Sequence, residues 1–244
     1  MADEQMISKE QLFGWLSRHR ELIVVVLTSA VGLIAMQYYV KSGVFGSQIG
    51  GLVGNTGWST ELSRLVRWAV GCVVFYLIVP SIVLLLAGRS PRKYGLNLEG
   101  LTRHWRTYAM LFIPVGLGVA LASGMPKFQS SYPFLHNPVD WRELLIWELC
   151  YLAQFVALEF FFRGFMVHGL RPHVGSTAAV MIMLLPYVMI HFGKPLLETC
   201  GALIAGAVLG FLSLRTGSIA GGAILHVTVA VEMDLLALFR KDWF

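Results

Sequence analysis

The feature that most constrains this chain is its series of long apolar segments. A helix that crosses a bilayer needs about 20 mostly apolar residues, each rising about 1.5 Å. The segments that meet or approach this length are Leu22–Val40, Trp68–Ala87, Thr107–Ser123, Leu144–Leu170, Ser176–His191, Leu197–Leu214 and Ile219–Phe239. The sequence therefore predicts an all-α, polytopic membrane protein of about seven transmembrane helices.

Composition supports this fold class and bears on the partners. Hydrophobic residues make up 56% of the chain and charged residues 14%, against roughly 25% charged in soluble domains. The net charge is +5, but the basic residues lie near the ends of the apolar segments, as they do in membrane proteins. We expect the lipid bilayer as the surroundings and no nucleic-acid partner. The sequence does not indicate an oligomeric state.

The chain is predicted to form a single integral membrane domain over residues 1–244, because no polar linker or low-complexity tract divides it. A polar N-terminus occupies residues 1–21, and the N-terminal spans occupy residues 22–123. Residues 144–239 form the C-terminal core. Short turns in this core favour antiparallel neighbours, so its four helices are expected to form one compact bundle.

Three shorter patterns predict local features. Gly43–Gly57 is rich in glycine and is interpreted as a lumenal or periplasmic loop, with a re-entrant segment as the alternative. The basic segment Arg89–Lys93 is expected in the cytoplasm by the positive-inside rule, together with the N-terminus. Gly206 and Gly210 form a GxxxG pattern, which predicts close packing against a neighbouring helix.

Ionisable residues are concentrated in the last four spans. They are Glu148, Glu159, Arg163, His168, His191, Glu198, His226, Glu232 and Asp234. A charged side chain at the centre of a bilayer costs about 2.5–3.5 kcal/mol on insertion scales, so these residues are expected to face one another or water. Glu159 and Arg163 are four residues apart on one helix face, and we predict that they pair.

One glutamate and two histidines suit the hydrolysis of a peptide bond inside the membrane. A glutamate can take a proton from water, while imidazoles can orient the water or stabilise an oxyanion. The same groups are also zinc ligands. No HExxH or similar zinc spacing occurs, so a metal-free site is favoured and no cofactor is expected. A non-catalytic binding protein and a proton or ion carrier are the other function classes.

Three motifs resemble a known family. They are Glu159-Phe-Phe-Phe-Arg163-Gly164, then Tyr187-Val-Met-Ile-His191, then Gly217-Ser-Ile219 followed by His226. In this order they resemble the CPBP family, which comprises CAAX proteases and bacteriocin-processing enzymes, the glutamic-type intramembrane endopeptidases. The resemblance implies a protein or peptide substrate in the membrane. In the active interpretation Glu159 is the general base, His191 positions water, His226 stabilises the oxyanion and Arg163 orients Glu159.

The chain departs from the family pattern at two positions. Leu158 stands where the family has the glutamate assigned to activating water, and Ala230 stands where it has the asparagine assigned to the oxyanion. An active enzyme would use Glu159 as the base, with supporting polarity from Glu198, Asp234 and Tyr187. The alternative is a catalytically inactive CPBP-like scaffold or binding protein.

The start Leu-Glu-Phe-Phe-Phe-Arg and the later His-Phe-Gly-Lys-Pro resemble a subgroup of the family, the myxosortases. This resemblance implies processing of the C-terminal region of sorted or membrane-associated proteins. It also implies a multi-pass location in the bacterial inner membrane.

Overall fold

The computed structural model describes residues 9–53 and 57–243, and within these residues it contains helices and turns but no strand. A 3₁₀ turn at Pro91–Tyr94 lies between the second and third of the long helices given next, Thr60–Leu86 and Leu101–Ala122. The helices are α1 Lys9–Arg18, α2 Arg20–Val40, α3 Val44–Gln48, α4 Gly50–Val53, α5 Thr60–Leu86, α6 Leu101–Ala122, α7 Pro126–Ser131, α8 Trp141–Val174, α9 Ser176–Met189, α10 Leu196–Thr216 and α11 Ala220–Arg240.

Six of the helices in the described residues, α2, α5, α6, α8, α10 and α11, are long and apolar enough to cross a membrane. Helix α9 is apolar but shorter. These helices confirm the predicted all-α, multi-pass membrane fold. Helix α5 begins at Thr60, eight residues before the predicted start at Trp68, because Ser59 caps it by accepting a hydrogen bond from the Leu62 amide at 3.2 Å.

The predicted loop at Gly43–Gly57 is partly helical. Helices α3 and α4 form within it, while residues 54–56 lie outside the described part of the chain. Phe45 explains why α3 is ordered, since its buried ring packs edge-on against Tyr39 and Phe75 at centroid distances of 5.7 and 5.9 Å. Residues 1–8 of the predicted polar N-terminus also lie outside the described part of the chain.

Helix α8 lies at the centre of the bundle, in contact with α2, α5, α9, α10 and α11. Its middle is a π-helical segment, Phe160–Met166, in which every residue is buried. A π-helical turn is wider than an α-helical one and is frequent at functional sites. Tyr76 of α5 stacks on Phe161 of this segment at 4.4 Å. The widest and most deeply buried turn of the central helix is therefore the one that carries Arg163.

The GxxxG pattern brings α10 tightly against α9, as predicted. A Cβ atom added at Gly206 would lie 2.6 Å from Leu184 Cδ2 and 2.8 Å from Tyr187 Cδ1. One added at Gly210 would lie 3.0 Å from Val180 Cγ1. Because real Cβ atoms do not approach other atoms as closely as 2.6 Å, only glycine at position 206 lets the Tyr187 ring stand where it does.

Candidate functional site

The predicted pair of Glu159 and Arg163 is present at the centre of α8. Arg163 Nη1 lies 3.0 Å from Glu159 Oε1, and both side chains are completely buried. Two opposite charges held together in this way avoid the large free-energy cost of burying either one alone. The pair is therefore both a structural element of the bundle and a fixed local charge distribution.

His226 of α11 joins this pair from the neighbouring helix. Its Nδ1 atom lies 2.9 Å from Glu159 Oε1, the same oxygen that faces Arg163. A carboxylate only accepts hydrogen bonds, so Nδ1 carries the hydrogen and Nε2 of the neutral ring carries a lone pair. The ring packs against Phe155 at 4.3 Å, yet the side chain keeps 18% of its exposure. His226 thus stands between the buried carboxylate and open space.

His191 lies in the turn that follows α9, two residues beyond the end of the helix at Met189. Its Nδ1 atom donates to the Tyr187 carbonyl oxygen at 2.8 Å, which leaves Nε2 as the free nitrogen. Burial lowers the pKa of His191 to about 4, and the positive charge that His226 acquires on protonation contributes in the same direction. The imidazole of His191 is therefore neutral at pH 7.

Tyr187 connects the two halves of the site. Its ring lies over the guanidinium of Arg163, with the Cζ atom 3.8 Å from the ring centroid, a cation–π contact. The same ring meets the imidazole of His191 edge-on at 4.8 Å. The predicted supporting role of Tyr187 therefore has a geometric basis, because it packs against both Arg163 and His191.

A cavity of about 2060 Å³ opens beside these residues, and both His191 and His226 line it. Leu158 and Ala230 also line it, so the two departures from the family motifs place apolar groups at its wall. Glu159 is not among the lining residues. Glu159 is therefore connected to the cavity through His226, which differs from the expectation that its carboxylate contacts the reacting water itself.

Asp234 lies apart from the Glu159 cluster. It is completely buried and accepts hydrogen bonds from Trp147 Nε1 at 3.1 Å and from the Phe134 amide at 3.2 Å. It thereby fastens the segment between α7 and α8 onto the bundle. These contacts make Asp234 an anchor of the fold, whereas its predicted role was to support the site.

Glu198 lies at the wall of the same cavity but in a separate network. Its carboxylate is 3.3 Å from Lys194 Nζ and accepts a hydrogen bond from the Tyr132 hydroxyl at 2.7 Å. Lys194 also lies over the rings of Tyr132 and Phe134, and burial lowers the pKa of this lysine. Glu198 is therefore placed to act on a molecule in the cavity, and its hydrogen bonds do not lead to Glu159.

The remaining acidic residues do not converge on Glu159. Both carboxylate oxygens of Glu148 are buried and have no hydrogen-bond partner among the described residues. Glu232 faces α6, where a Cβ added at Gly116 would lie 3.1 Å from its Oε2 atom. Glu159, Arg163 and His226 therefore form the predicted cluster, and Glu148 and Glu232 lie outside it.

A contact between Ser213 and His168 supports the site from behind and was not predicted. Ser213 Oγ donates to the Arg163 carbonyl oxygen at 3.2 Å, and His168 Nε2 lies 3.0 Å from the same Oγ. The hydroxyl proton is thus used to satisfy a backbone oxygen of the π-helical segment. Ser213 is 45 residues from His168 and 50 residues from Arg163 in the chain. No local sequence spacing therefore predicts these contacts.

Within residues 9–53 and 57–243, no group of three or more His, Cys, Asp or Glu side chains is arranged as a metal site. The zinc alternative therefore gains no set of ligands from this part of the chain.

Comparison with known proteins finds a similarity that covers most of the core. Residues 140–231 match the family model described as type II CAAX prenyl endopeptidase, Rce1-like. The match begins at the residue that caps α8 and ends within α11, so it contains Glu159, Arg163, His191 and His226. No curated protein and no solved structure matches the chain. The matched model does not distinguish a myxosortase subgroup, which stays a prediction.

Proposed function

We propose that this chain hydrolyses a peptide bond in the C-terminal region of membrane-associated or sorted proteins. The match of residues 140–231 to the Rce1-like family model supports a membrane endopeptidase of the CPBP kind. The observation that carries the proposal is the hydrogen bond between His226 and the buried Glu159 at the edge of a cavity that His191 also lines. A carboxylate bonded to an imidazole that borders an open space supplies the parts of a general-base catalyst.

In the proposed mechanism His226 is the base that takes a proton from water. Its Nε2 atom has a free lone pair, and Glu159 on the opposite side of the ring stabilises the imidazolium that forms. Glu159 therefore acts as a positioning residue. This assignment moves the base from Glu159 to His226, because His226 lines the cavity and Glu159 does not.

His191 completes the site by holding the water. Its Nε2 atom is an acceptor, since Nδ1 is occupied by the Tyr187 carbonyl oxygen. One O–H of a water would point at His191 Nε2 and the other at His226 Nε2. The lone pairs of the water oxygen are then free to attack a carbonyl carbon in the cavity.

The reaction balances with water as the only co-substrate. Water gives one proton to His226 Nε2 while its oxygen bonds to the scissile carbonyl carbon, forming a tetrahedral intermediate. The C–N bond then breaks, and the proton on His226 passes to the leaving nitrogen. The products are a new C-terminal carboxyl group and a new amine, and His226 returns to its neutral state.

Arg163 and Tyr187 hold Glu159 in place. The guanidinium faces Glu159 Oε1 at 3.0 Å and is itself covered by the Tyr187 ring. In a region of low dielectric constant, the fixed negative charge of Glu159 stabilises a new imidazolium more strongly than water would. The wide π-helical turn and the Ser213 hydroxyl hold Arg163 in this position.

The surroundings of the cavity support a peptide substrate within the bilayer. Apolar residues of several spanning helices make up most of its lining, and its volume of about 2060 Å³ is more than a single small metabolite needs. A bacterial inner membrane, as the myxosortase resemblance implies, is the location we propose.

A catalytically inactive binding protein is the second candidate. Leu158 and Ala230 favour it, since both place apolar side chains on the cavity wall where related enzymes carry a glutamate and an asparagine. An inactive protein would keep the same fold and the same cavity, and its His226 and His191 would serve only to satisfy Glu159 and the end of α9.

The test is a survey of protein C-termini in host membranes. Cells would carry the wild-type chain, His226→Gln, His191→Gln or, as a matched control, His19→Gln near the N-terminal end of α2. We expect the same new C-termini in the wild type and the His19→Gln variant, and their loss in the other two. If all four membranes hold the same set of C-termini while the variants are present at normal abundance, the chain is not an endopeptidase.

A further inference from the structure

Gln154 of α8 is a buried polar residue that the proposed mechanism does not use. Its side chain lines the cavity, although the residue is only 4% exposed. Its Oε1 atom is buried and has no hydrogen-bond partner among the described residues. A buried acceptor without a partner costs free energy, and native proteins rarely keep one without a reason.

Gln154 differs from the other residues that have a buried polar side-chain atom without a hydrogen-bond partner. In the described part of the chain, buried side-chain nitrogen or oxygen atoms without a partner also occur in Ser29, Glu148, Glu159, Arg163 and Glu232. None of these five lines the cavity. Gln154 is thus the residue of this group whose side chain borders the cavity.

The position of Gln154 relates it to the reaction centre. It precedes Leu158 by four residues, about 6 Å or one turn along the same face of α8, and both residues line the cavity. Leu158 immediately precedes Glu159, whose carboxylate holds His226. A molecule that reaches His226 therefore has a neighbouring part at the level of Gln154.

A peptide substrate brings the group that Gln154 lacks. A segment must leave its helical conformation before its peptide bond can be attacked, and this exposes main-chain N–H groups that find no water at membrane depth. Lipid acyl chains have no such donor. We propose, on the basis of the proposed function, that Gln154 Oε1 accepts a hydrogen bond from a main-chain N–H of the substrate close to the scissile bond.

The test uses synthetic peptides that span a cleavage site found in the survey of C-termini. In a series of esters, each main-chain N–H except that of the scissile bond is replaced in turn by oxygen, which removes one donor and keeps the side chains. Cleavage of each peptide is measured with the full-length protein in lipid nanodiscs, for the wild type and for Gln154→Met. Methionine has a similar length and no amide.

We expect one ester position to lower kcat/KM of the wild type by about 3- to 10-fold, the effect of one hydrogen bond. The same ester should leave kcat/KM of Gln154→Met unchanged, because that variant has already lost the acceptor. Gln48→Leu, at an exposed glutamine of α3 that does not line the cavity, is the control and should respond as the wild type does.

Thermal unfolding distinguishes this role from a structural one. Gln154→Met removes an unsatisfied polar group, so it should unfold at the same temperature as the wild type or a higher one while it cleaves more slowly. Lower thermal stability would indicate a structural partner and overturn the proposal. Equal effects of the ester on kcat/KM in the wild type and in Gln154→Met would also overturn the proposal.

The outcomes for the proposed function are separate. If no cleavage product depends on His226, the proposed function fails together with this inference. Products with no Gln154-dependent ester effect overturn the inference alone.

Discussion

Glu159 Oε1 lies 2.9 Å from Nδ1 of His226 and 3.0 Å from Nη1 of Arg163, so a single carboxylate oxygen is shared by a fixed positive charge and a titratable ring. The arrangement divides the work between two residues. In the proposed mechanism the buried carboxylate holds the imidazole in position, and the imidazole meets the substrate. A chain that lacks the first glutamate of the family motif can in this way still present a base to the cavity.

Loss of the Glu159 charge is expected to destabilise the bundle. Glu159→Gln leaves the Arg163 guanidinium buried without a counter-charge, which costs about 3–5 kcal/mol. Thermal or denaturant unfolding of the protein in lipid nanodiscs measures the change. Glu99→Gln is the control, because that carboxylate lies 3.7 Å from Arg92 with both side chains more than 70% exposed, and an exposed pair contributes about 0–1 kcal/mol. Equal stability of the two variants would contradict a strong buried pair.

Close packing at Gly206 is expected to be necessary for the site as well as for the bundle. In Gly206→Ala the new methyl group would push the Tyr187 ring away from Arg163, because the available distance to that ring is 2.8 Å. We expect a loss of about 1–3 kcal/mol, as for other overpacked cores, together with slower cleavage per folded molecule. Gly201→Ala on the same helix meets no atom within 4 Å and is the matched control. Identical behaviour of the two alanine variants would refute this packing role.

Asp234 is expected to matter for stability and much less for the reaction. Asp234→Leu leaves the Trp147 indole N–H and the Phe134 amide without their acceptor, with an expected cost of about 2–4 kcal/mol. Because Asp234 does not contact Glu159, cleavage per folded molecule should stay within about 2-fold of the wild type. A variant that is stable but inactive would instead place Asp234 in the catalytic machinery.

Cleavage is expected to continue in the presence of metal chelators. The proposed water lies between two Nε2 atoms and is activated by His226 with Glu159 behind it. In the described part of the chain, no group of three or more His, Cys, Asp or Glu side chains is arranged to hold zinc. Incubation with phenanthroline or EDTA should leave the rate of precursor cleavage unchanged. A loss of activity that added zinc restores would show that His191 and His226 bind a metal ion.

Much of the architecture follows from the sequence because the bilayer sets both length and polarity. The ends of α2, α10 and α11 lie within two residues of the predicted spans, since apolar runs stop where the membrane does. Helix α5 starts before the predicted span, because its first turns carry charges such as Arg64 and Arg67 that lower the hydropathy of this segment. A cap at Ser59 is the local signal that indicates the true start.

The site was predictable only where it depends on helical spacing. Glu159 and Arg163 pair at four residues apart, as any helix allows. The contact of Glu159 with His226 spans 67 residues, and that of Ser213 with Arg163 spans 50. Such contacts depend on how α8, α10 and α11 cross, which side-chain packing decides. Spacing therefore predicts the Glu159–Arg163 pair and leaves open which residues face the cavity.

The most direct test of the proposed mechanism is a double-mutant cycle on Glu159 and His226. Cleavage rates per folded molecule would be measured for the wild type, Glu159→Gln, His226→Gln and the double variant, with one precursor peptide in lipid nanodiscs. If Glu159 acts through His226, each single variant is slow and the double variant is no slower than His226→Gln. If the fold-decreases in cleavage rate of the two single variants multiply in the double variant, Glu159 acts on the substrate or water independently of His226. The proposed mechanism is then wrong.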